Sequence, residues 1–402
     1  TACGLITLCG ALTLAELSSL IPSSGATYHI IREGIGPFWG FLKIWMEMWV
    51  NSPGSIAGVA AALGEFAAHL FGNVSSGAPL LWGIGSILFF TAINLLGVRW
   101  GGWTQIVLTA IKVAALLVLI GGSLLLVRGS VESGVSAAST SGGWMGLMRV
   151  IGLGIAAVLF TYDGWIDVTH TAGEVAEPKR TLPIGLAGGV LVILTLYLLA
   201  NYAYLRIVPL QQMREKPDLI ASTVALRTFG SSGDRFLTAL MAVSIFGALG
   251  GIVMTAPRLI FAVAERYASE AETPKRARSF FGVLASVSPR TSVPWVAILV
   301  MGGLSIVALL FFRSFSRLAN FFLVPVQLSS ILMVASIFRL RKRTEKQPDQ
   351  YRTPGYPWVP LLFIAVMSLF LINAIVYNPK DTLIGITLAA TALPVYRWIG
   401  RS

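Results

Sequence analysis

The chain is poor in charge, in acid and in cysteine. Of its 402 residues only 12% are charged, and Asp and Glu together number 18. A soluble protein carries roughly twice that charged share, so a single water-facing globular surface is excluded. The two cysteines, Cys3 and Cys9, lie in one apolar run without metal-ligand spacing, which rules out a disulfide framework. His29, His69 and His170 are scattered and form no metal set. There is no phosphate loop ending in Lys-Ser/Thr, no His-Glu-x-x-His and no serine elbow. These absences remove common nucleotide, zinc-hydrolase and serine-hydrolase chemistries. No catalytic residue, metal or cofactor is expected, and the sequence reads as a non-enzyme.

What is present is apolar. Hydrophobic residues make up 55% of the chain, mean hydropathy is +0.76, and runs of about 20 apolar residues recur. The expectation is an all-α polytopic membrane protein with one transmembrane domain over 1–402. Eleven spans are expected, near 2–21, 38–70, 79–97, 103–127, 144–172, 183–207, 236–263, 294–312, 318–339, 357–376 and 382–399. The second is too long for one straight crossing, so either Pro53 and Gly54 bend it or its ends protrude. The sequence opens inside an apolar run at Thr1 with no basic leader, and further sequence is expected upstream.

The formal charge of +12 is spread over loops. One set of alternate span ends holds 19 Lys and Arg, including Lys43, Lys179, Arg180 and the basic runs at 275–290 and 339–346; the other holds 10. The richer set is expected on the cytoplasmic side, where its basic runs meet anionic lipid. No aromatic-interleaved basic surface accompanies them, so nucleic acid is not an expected partner.

The remaining spans are arranged about a break. An apolar run from 144 to 159 gives way to Phe160, Thr161, Tyr162, Asp163, Gly164 and Trp165, and helix-compatible sequence resumes only afterwards. Non-helical backbone at membrane depth survives only beside protein or a water-filled cavity, and broken helices bind substrates in secondary transporters. A plain kink or an external turn is the competing reading. The spans from 183 onward echo those from 2 onward at a shift of about 180 residues, which fits an inverted repeat. That shift puts the partner of the break before Thr1.

Several motifs then resemble one family. Ala15-Glu16-Leu17, Pro22, Ser24-Gly25, Tyr28 and Gly36-Pro37 come first; Trp45-Met46-Glu47 and Pro53 follow. The break reads Phe-x-Tyr-x-Gly-Trp, and the loop after it, 174–183, reads Glu-x-x-x-Pro-x-Arg-x-x-Pro. Tyr197-Leu198-Leu199-Ala200-Asn201 and Arg258-Leu259-Ile260-Phe261-Ala262 complete the set. In this order they resemble transporters of the amino acid–polyamine–organocation superfamily, most nearly its L-type amino-acid branch in a prokaryote-like, single-chain form.

The resemblance implies a five-plus-five inverted-repeat fold of twelve helices. Residues 1–127 would be its helices two to five, 144–339 six to ten, and 357–399 eleven and twelve, with the first helix missing. It implies sodium-independent amino-acid transport by alternating access, through exchange or proton-coupled uptake, in the plasma (inner) membrane. Phe160, Thr161, Tyr162, Asp163, Gly164 and Trp165 would bind substrate, with carbonyls receiving the ammonium and Phe160 gating. Lys112 would carry the coupling charge; a lysine that snorkels to the interface is the alternative. Glu174, Lys179 and Arg180 would close a cytoplasmic gate, or would simply be a solvated loop. Glu47 pairs with Lys43 one turn away, Asp163 caps the following half-helix, and Asn201 reaches the break.

Thr255-Ala256-Pro257 would lack sodium ligands, and the loop 72–79 has no cysteine for a disulfide-linked heavy chain. An amino-acid-binding sensor, or a carrier of polyamines or other organic cations, are the competing functions. An acidic pocket would favour the cation carrier, and Asp163 is the acid that the break offers.

Overall fold

A computed structural model describes residues 2–21, 25–72, 75, 77–127, 158, 161–162, 164–169, 175, 177–215, 220–269, 275–343, 351–377 and 379–399. Among these there is no β-strand. The helices, in chain order, are α1 (Ala2–Leu20), α2 (Ala26–Gly34), α3 (Pro37–Met46), α4 (Ser52–Leu70), α5 (Ala78–Leu96) and α6 (Val98–Leu126). Then follow α7 (Pro178–Ile207), α8 (Leu210–Glu215), α9 (Ile220–Phe229), α10 (Gly233–Ser269), α11 (Lys275–Leu284) and α12 (Trp295–Phe312). The last are α13 (Phe315–Ala335), α14 (Ile337–Arg343), α15 (Trp358–Tyr377), α16 (Pro379–Ala390) and α17 (Ala392–Ile399).

Seven of the described helical stretches are long and apolar enough to cross a membrane. The starts obey local rules. Proline occupies the first turn of α3, α4, α5 and α7, where a missing N–H costs nothing. Gly97, at φ 132°, makes the corner between α5 and α6, a backbone that a side chain resists. Large side chains such as Leu81, Leu125 and Trp358 are more than two-thirds exposed, as expected where the surrounding solvent is lipid.

The long second span is one rod of three parts. Between α3 and α4 lies a π-helical segment, Glu47–Asn51, and the Ser52 N–H bonds back five residues to the Glu47 carbonyl. Pro53 explains it: proline has no N–H for residue 49 and its ring crowds that carbonyl, so the turn widens instead of breaking. At the other end of the chain the expected span 382–399 is two helices, parted at Thr391. Pro394 cannot bond the Ala390 carbonyl, while the Thr391 hydroxyl turns back to Leu388 O and accepts Trp45 Nε1 from α3 at 2.8 Å.

Packing is divided among several apolar clusters. One joins α4, α5, α10, α12 and α13 around Ile56, Phe90, Leu249, Leu309 and Phe321. A second joins α1, α7, α13, α14 and α15 around Leu14, Leu17, Leu186, Met333 and Phe363. Where rods cross, glycine permits close approach: a methyl on Gly64 of α4 would collide with the Pro79 carbonyl of α5. Between the two clusters lies a polar interior.

Candidate functional site: a polar cavity beside the break

The interior cavity is lined by Lys43, Glu47, Asn51, Ser52 and Ser55 from the long rod, and by Gly164, Ile166 and Asp167 from the break. Thr255 of α10 and Ser329 of α13 close it, with Ile252, Ala256 and Val326. Its volume is about 60 Å³, enough for a few waters.

The widened turn sets the polar wall. Glu47 is 7% exposed and receives three donors: Lys43 Nζ, Asn51 Nδ2 at 3.2 Å, and Ser52 Oγ at 2.6 Å. The expected Lys43–Glu47 pair therefore forms. Lys43, counted from the sequence among the cytoplasmic cations, is instead 5% exposed inside the molecule. Taking both charges out of water is tolerable because each neutralises the other and the remaining lone pairs are filled. Ser329 Oγ and Thr255 Oγ1 donate back to the carbonyls of Pro325 and Gly251, at 2.8 and 3.1 Å.

The break contributes irregular backbone. Gly164 adopts φ 96°, a left-handed region that favours glycine. The chain then makes a short 3₁₀ turn, with Asp167 N–H bonded to Gly164 O at 3.1 Å and Thr169 N–H to Ile166 O at 3.0 Å. This brings Asp167 to the cavity, a second acid that the sequence reading passed over in favour of Asp163. Its signal was the spacing: Asp167 follows Asp163 by four residues, one turn on.

The other expected site residues are dispersed. Tyr162 is buried against α1 and α7, near Cys3 and Leu194, with its ring 5.1 Å from that of Tyr197. Trp165 lies over Gly10 and meets Phe363 edge-on at 5.9 Å. Thr161 is exposed and its hydroxyl donates to Val158 O. Phe160, Asp163 and Glu174 lie outside the described residues. Lys179 and Arg180 are exposed in the first turn of α7. Asn201 does not reach the break, because its amide donates to Tyr197 O of its own helix at 2.7 Å. Tyr197, one turn earlier, does: its hydroxyl donates to Thr161 O at 2.9 Å.

Lys112 stands in a separate cleft of about 310 Å³ between α6, α7, α9 and α10, which Tyr197, Tyr204 and Ser244 also line. It packs on α10: a methyl placed on Gly247 would lie 2.9 Å from Lys112 Cε and 3.3 Å from Nζ. Tyr197 thus spans from the lysine cleft to a carbonyl of the break. No group of three His, Cys, Asp or Glu side chains suited to a metal occurs among the described residues.

A family model described as amino acid permease matches residues 1–396. The chain belongs to the amino acid permease family. It is an integral, multi-pass membrane protein that transports amino acids, and it is not an enzyme. The Serine/threonine exchanger SteT of Bacillus subtilis (strain 168) is 30% identical over 393 residues, covering 98% of this chain and 86% of that protein. The Cystine/glutamate transporter of Homo sapiens is 28% identical over 404 residues, 98% of this chain and 76% of the relative. The b(0,+)-type amino acid transporter 1 of Mus musculus is 28% identical over 387 residues, 93% and 73%. The superfamily resemblance read from the motifs therefore holds along the whole permease domain.

Proposed function

We propose that this permease is a sodium-independent amino-acid exchanger of the plasma membrane, working by alternating access around the cavity at the break. The observation that carries the reading is the meeting of irregular backbone at Gly164 with a polar wall from three other elements. Backbone freed from a helix presents carbonyls and N–H groups to a zwitterion in such a place. One relative is named as an exchanger, which favours exchange over net proton-coupled uptake. Substrate ammonium would be received by the carbonyls of the break around Phe160, Thr161 and Tyr162.

A five-plus-five inverted repeat is supported by the packing of the helices it would relate: α1 lies on α7, α4 on α10, and α5 on α12. Lys112 would serve as the coupling charge, since it leans on α10 and shares its cleft with the tyrosine that touches the break. Glu174, Lys179 and Arg180 would form the cytoplasmic gate. No heavy-chain disulfide is proposed, as both cysteines lie in α1 and neither is in the loop before α5.

Uptake of labelled amino acids into proteoliposomes tests the reading, with and without unlabelled amino acid inside. Uptake that requires internal amino acid and is indifferent to sodium is expected. Uptake driven by a proton gradient with empty vesicles would replace exchange by symport. Amino-acid binding by folded protein without any uptake would replace the carrier by a sensor.

A further inference from the structure

A second, larger hollow lies between α4, α5 and α10, with one wall from α6, and shares no lining residue with the polar cavity. It is a groove of about 540 Å³. Leu63 and Ala67 of α4, Ser86 of α5 and Ala242 of α10 form a buried floor, and Phe71, Trp82 and Phe89 an exposed rim. None of its described lining residues is charged. Its one hydroxyl, on Ser86, is spent on Gly83 O at 2.7 Å. An apolar hollow of this kind stays free of water, and left empty its walls forfeit dispersion contacts. Gly85 stands in the middle of the α5 wall, where an added methyl would meet nothing within 4 Å. Glycine inside a helix weakens it, and no described side chain fills the space that it leaves.

The groove has the position and depth of one leaflet. The connection 71–77 at its mouth carries no Lys or Arg, which puts this end on the outer side. Phe71 stacks on Trp82 there at 5.0 Å, and tryptophan is favoured at the membrane–water interface. The α5 wall then runs down one helical face from Trp82 to Phe89, about 10 Å at the α-helical rise. A leaflet's hydrocarbon is about 15 Å deep. Leu81 and Leu88 beside the wall are more than half exposed, so the groove continues the lipid-facing surface.

Its deep wall is also a wall of the lysine cleft. Val243 and Phe246 of α10 and Leu108 of α6 face the groove, while Met241 and Ser244 of α10 and Lys112 of α6 face the cleft. The two helices meet at Gly247, where a methyl would lie 2.9 Å from both Leu108 Cβ and Lys112 Cε.

We propose that this groove is a lipid-binding site for one acyl chain of an outer-leaflet phospholipid, and that the seated chain braces the α6–α10 seam on which Lys112 leans. A free fatty acid is a poorer occupant, because no described lining residue answers its carboxylate. The proposal concerns binding and holds whether or not the protein exchanges amino acids.

The test uses the full-length protein in lipid discs that contain a phospholipid with a photoreactive diazirine in mid-chain. Labelling at 63–71, 82–89 and 242–246 should exceed that at the exposed α15 residues Leu369 and Ile372 by about fivefold, as an enclosed chain requires. Gly85→Trp, which places an indole in the open space, should cut the groove label to the level of α15. Backbone hydrogen exchange over 104–116 should slow about threefold when phospholipid is added to delipidated protein. In Gly85→Trp it should be slow without lipid. Equal labelling of groove and α15 in the natural protein overturns the proposal, so no variant has to fold for it to fail. Undiminished label in folded Gly85→Trp overturns it too. Label from a diazirine fatty acid that phospholipid does not displace replaces the occupant, as does a dimer in the discs with unlabelled walls. Exchange over 104–116 that ignores lipid removes the brace.

Discussion

Lys43 and Glu47 are a buried pair whose members cannot be removed singly without leaving a naked charge in the interior. Lys43→Ala should lower stability by about 3–5 kcal/mol, seen as a large fall in melting temperature of the purified protein. Replacing both by apolar residues of similar volume should recover most of that loss. Lys112 makes a different prediction, because its neighbours are cleft walls and helix α10. Lys112→Ala should abolish exchange or erase its pH dependence in proteoliposomes, with the protein still folded. Unchanged rates and an unchanged pH profile would take Lys112 out of the mechanism. The sequence showed Lys112 plainly, since a cation inside an apolar run is conspicuous. It did not show that Lys43 lies at the centre, because an i,i+4 pair looks alike at a helix end and in a core.

Two irregular segments, one a widened turn and one a break, face each other across the cavity. The first follows from Pro53, which cannot complete the α-helical ladder. The second turns at Gly164, whose φ of 96° penalises any side chain. Gly164→Leu should therefore both strain the turn and crowd the wall, reducing substrate affinity about tenfold or more. Normal affinity in that variant, measured by ligand-induced thermal shift, would place the site elsewhere. Gly164 was legible because Gly in a polar interruption of an apolar run is a strong signal. Asn51, Ser52 and Ser55 were not weighed, although the run Asn-Ser-Pro-Gly-Ser interrupts an apolar span in the same way. Asn201 was misassigned to the break by one turn; the residue one turn earlier on the same face of α7, Tyr197, holds that position.

At the scale of the molecule, α1 is tied to a loop more than 300 residues away. Glu16, 2% exposed, accepts the Thr353 N–H at 2.7 Å and stands 2.9 Å from Arg341 Nε of α14. Arg341 also lies over the Tyr356 ring at 4.0 Å. The Thr353 hydroxyl reaches Leu12 O at 3.3 Å, so the connection between α14 and α15 is pinned along α1. Burial, and then the Glu16 carboxylate, hold the Tyr351 phenol above its ordinary pKa. Arg341→Ala should leave Glu16 buried with its backbone donor alone, costing about 3 kcal/mol. Thermal unfolding checks this, and a melting temperature unchanged from the natural protein would show the tie to be idle.

The sequence by itself determined the class of molecule, the family and the positions of the apolar rods among the described residues; the expected span 144–172 lies mostly outside them. Those features are one-dimensional: length and hydropathy fix what crosses a bilayer, and proline and glycine fix where a helix is interrupted. It also determined that a lysine and a glutamate one turn apart would meet. Only the tertiary structure decided which faces turn inward. It drew Asp167, Asn51, Thr255 and Ser329 from four separate segments to one cavity, and it turned Tyr162 and Trp165 toward apolar clusters instead. In a membrane protein the outward face is as apolar as the packed one, so the periodicity that sorts inside from outside in water carries little information here. The direction of a polar side chain is then set by the partners it meets across helices, and those are known only once the helices are packed.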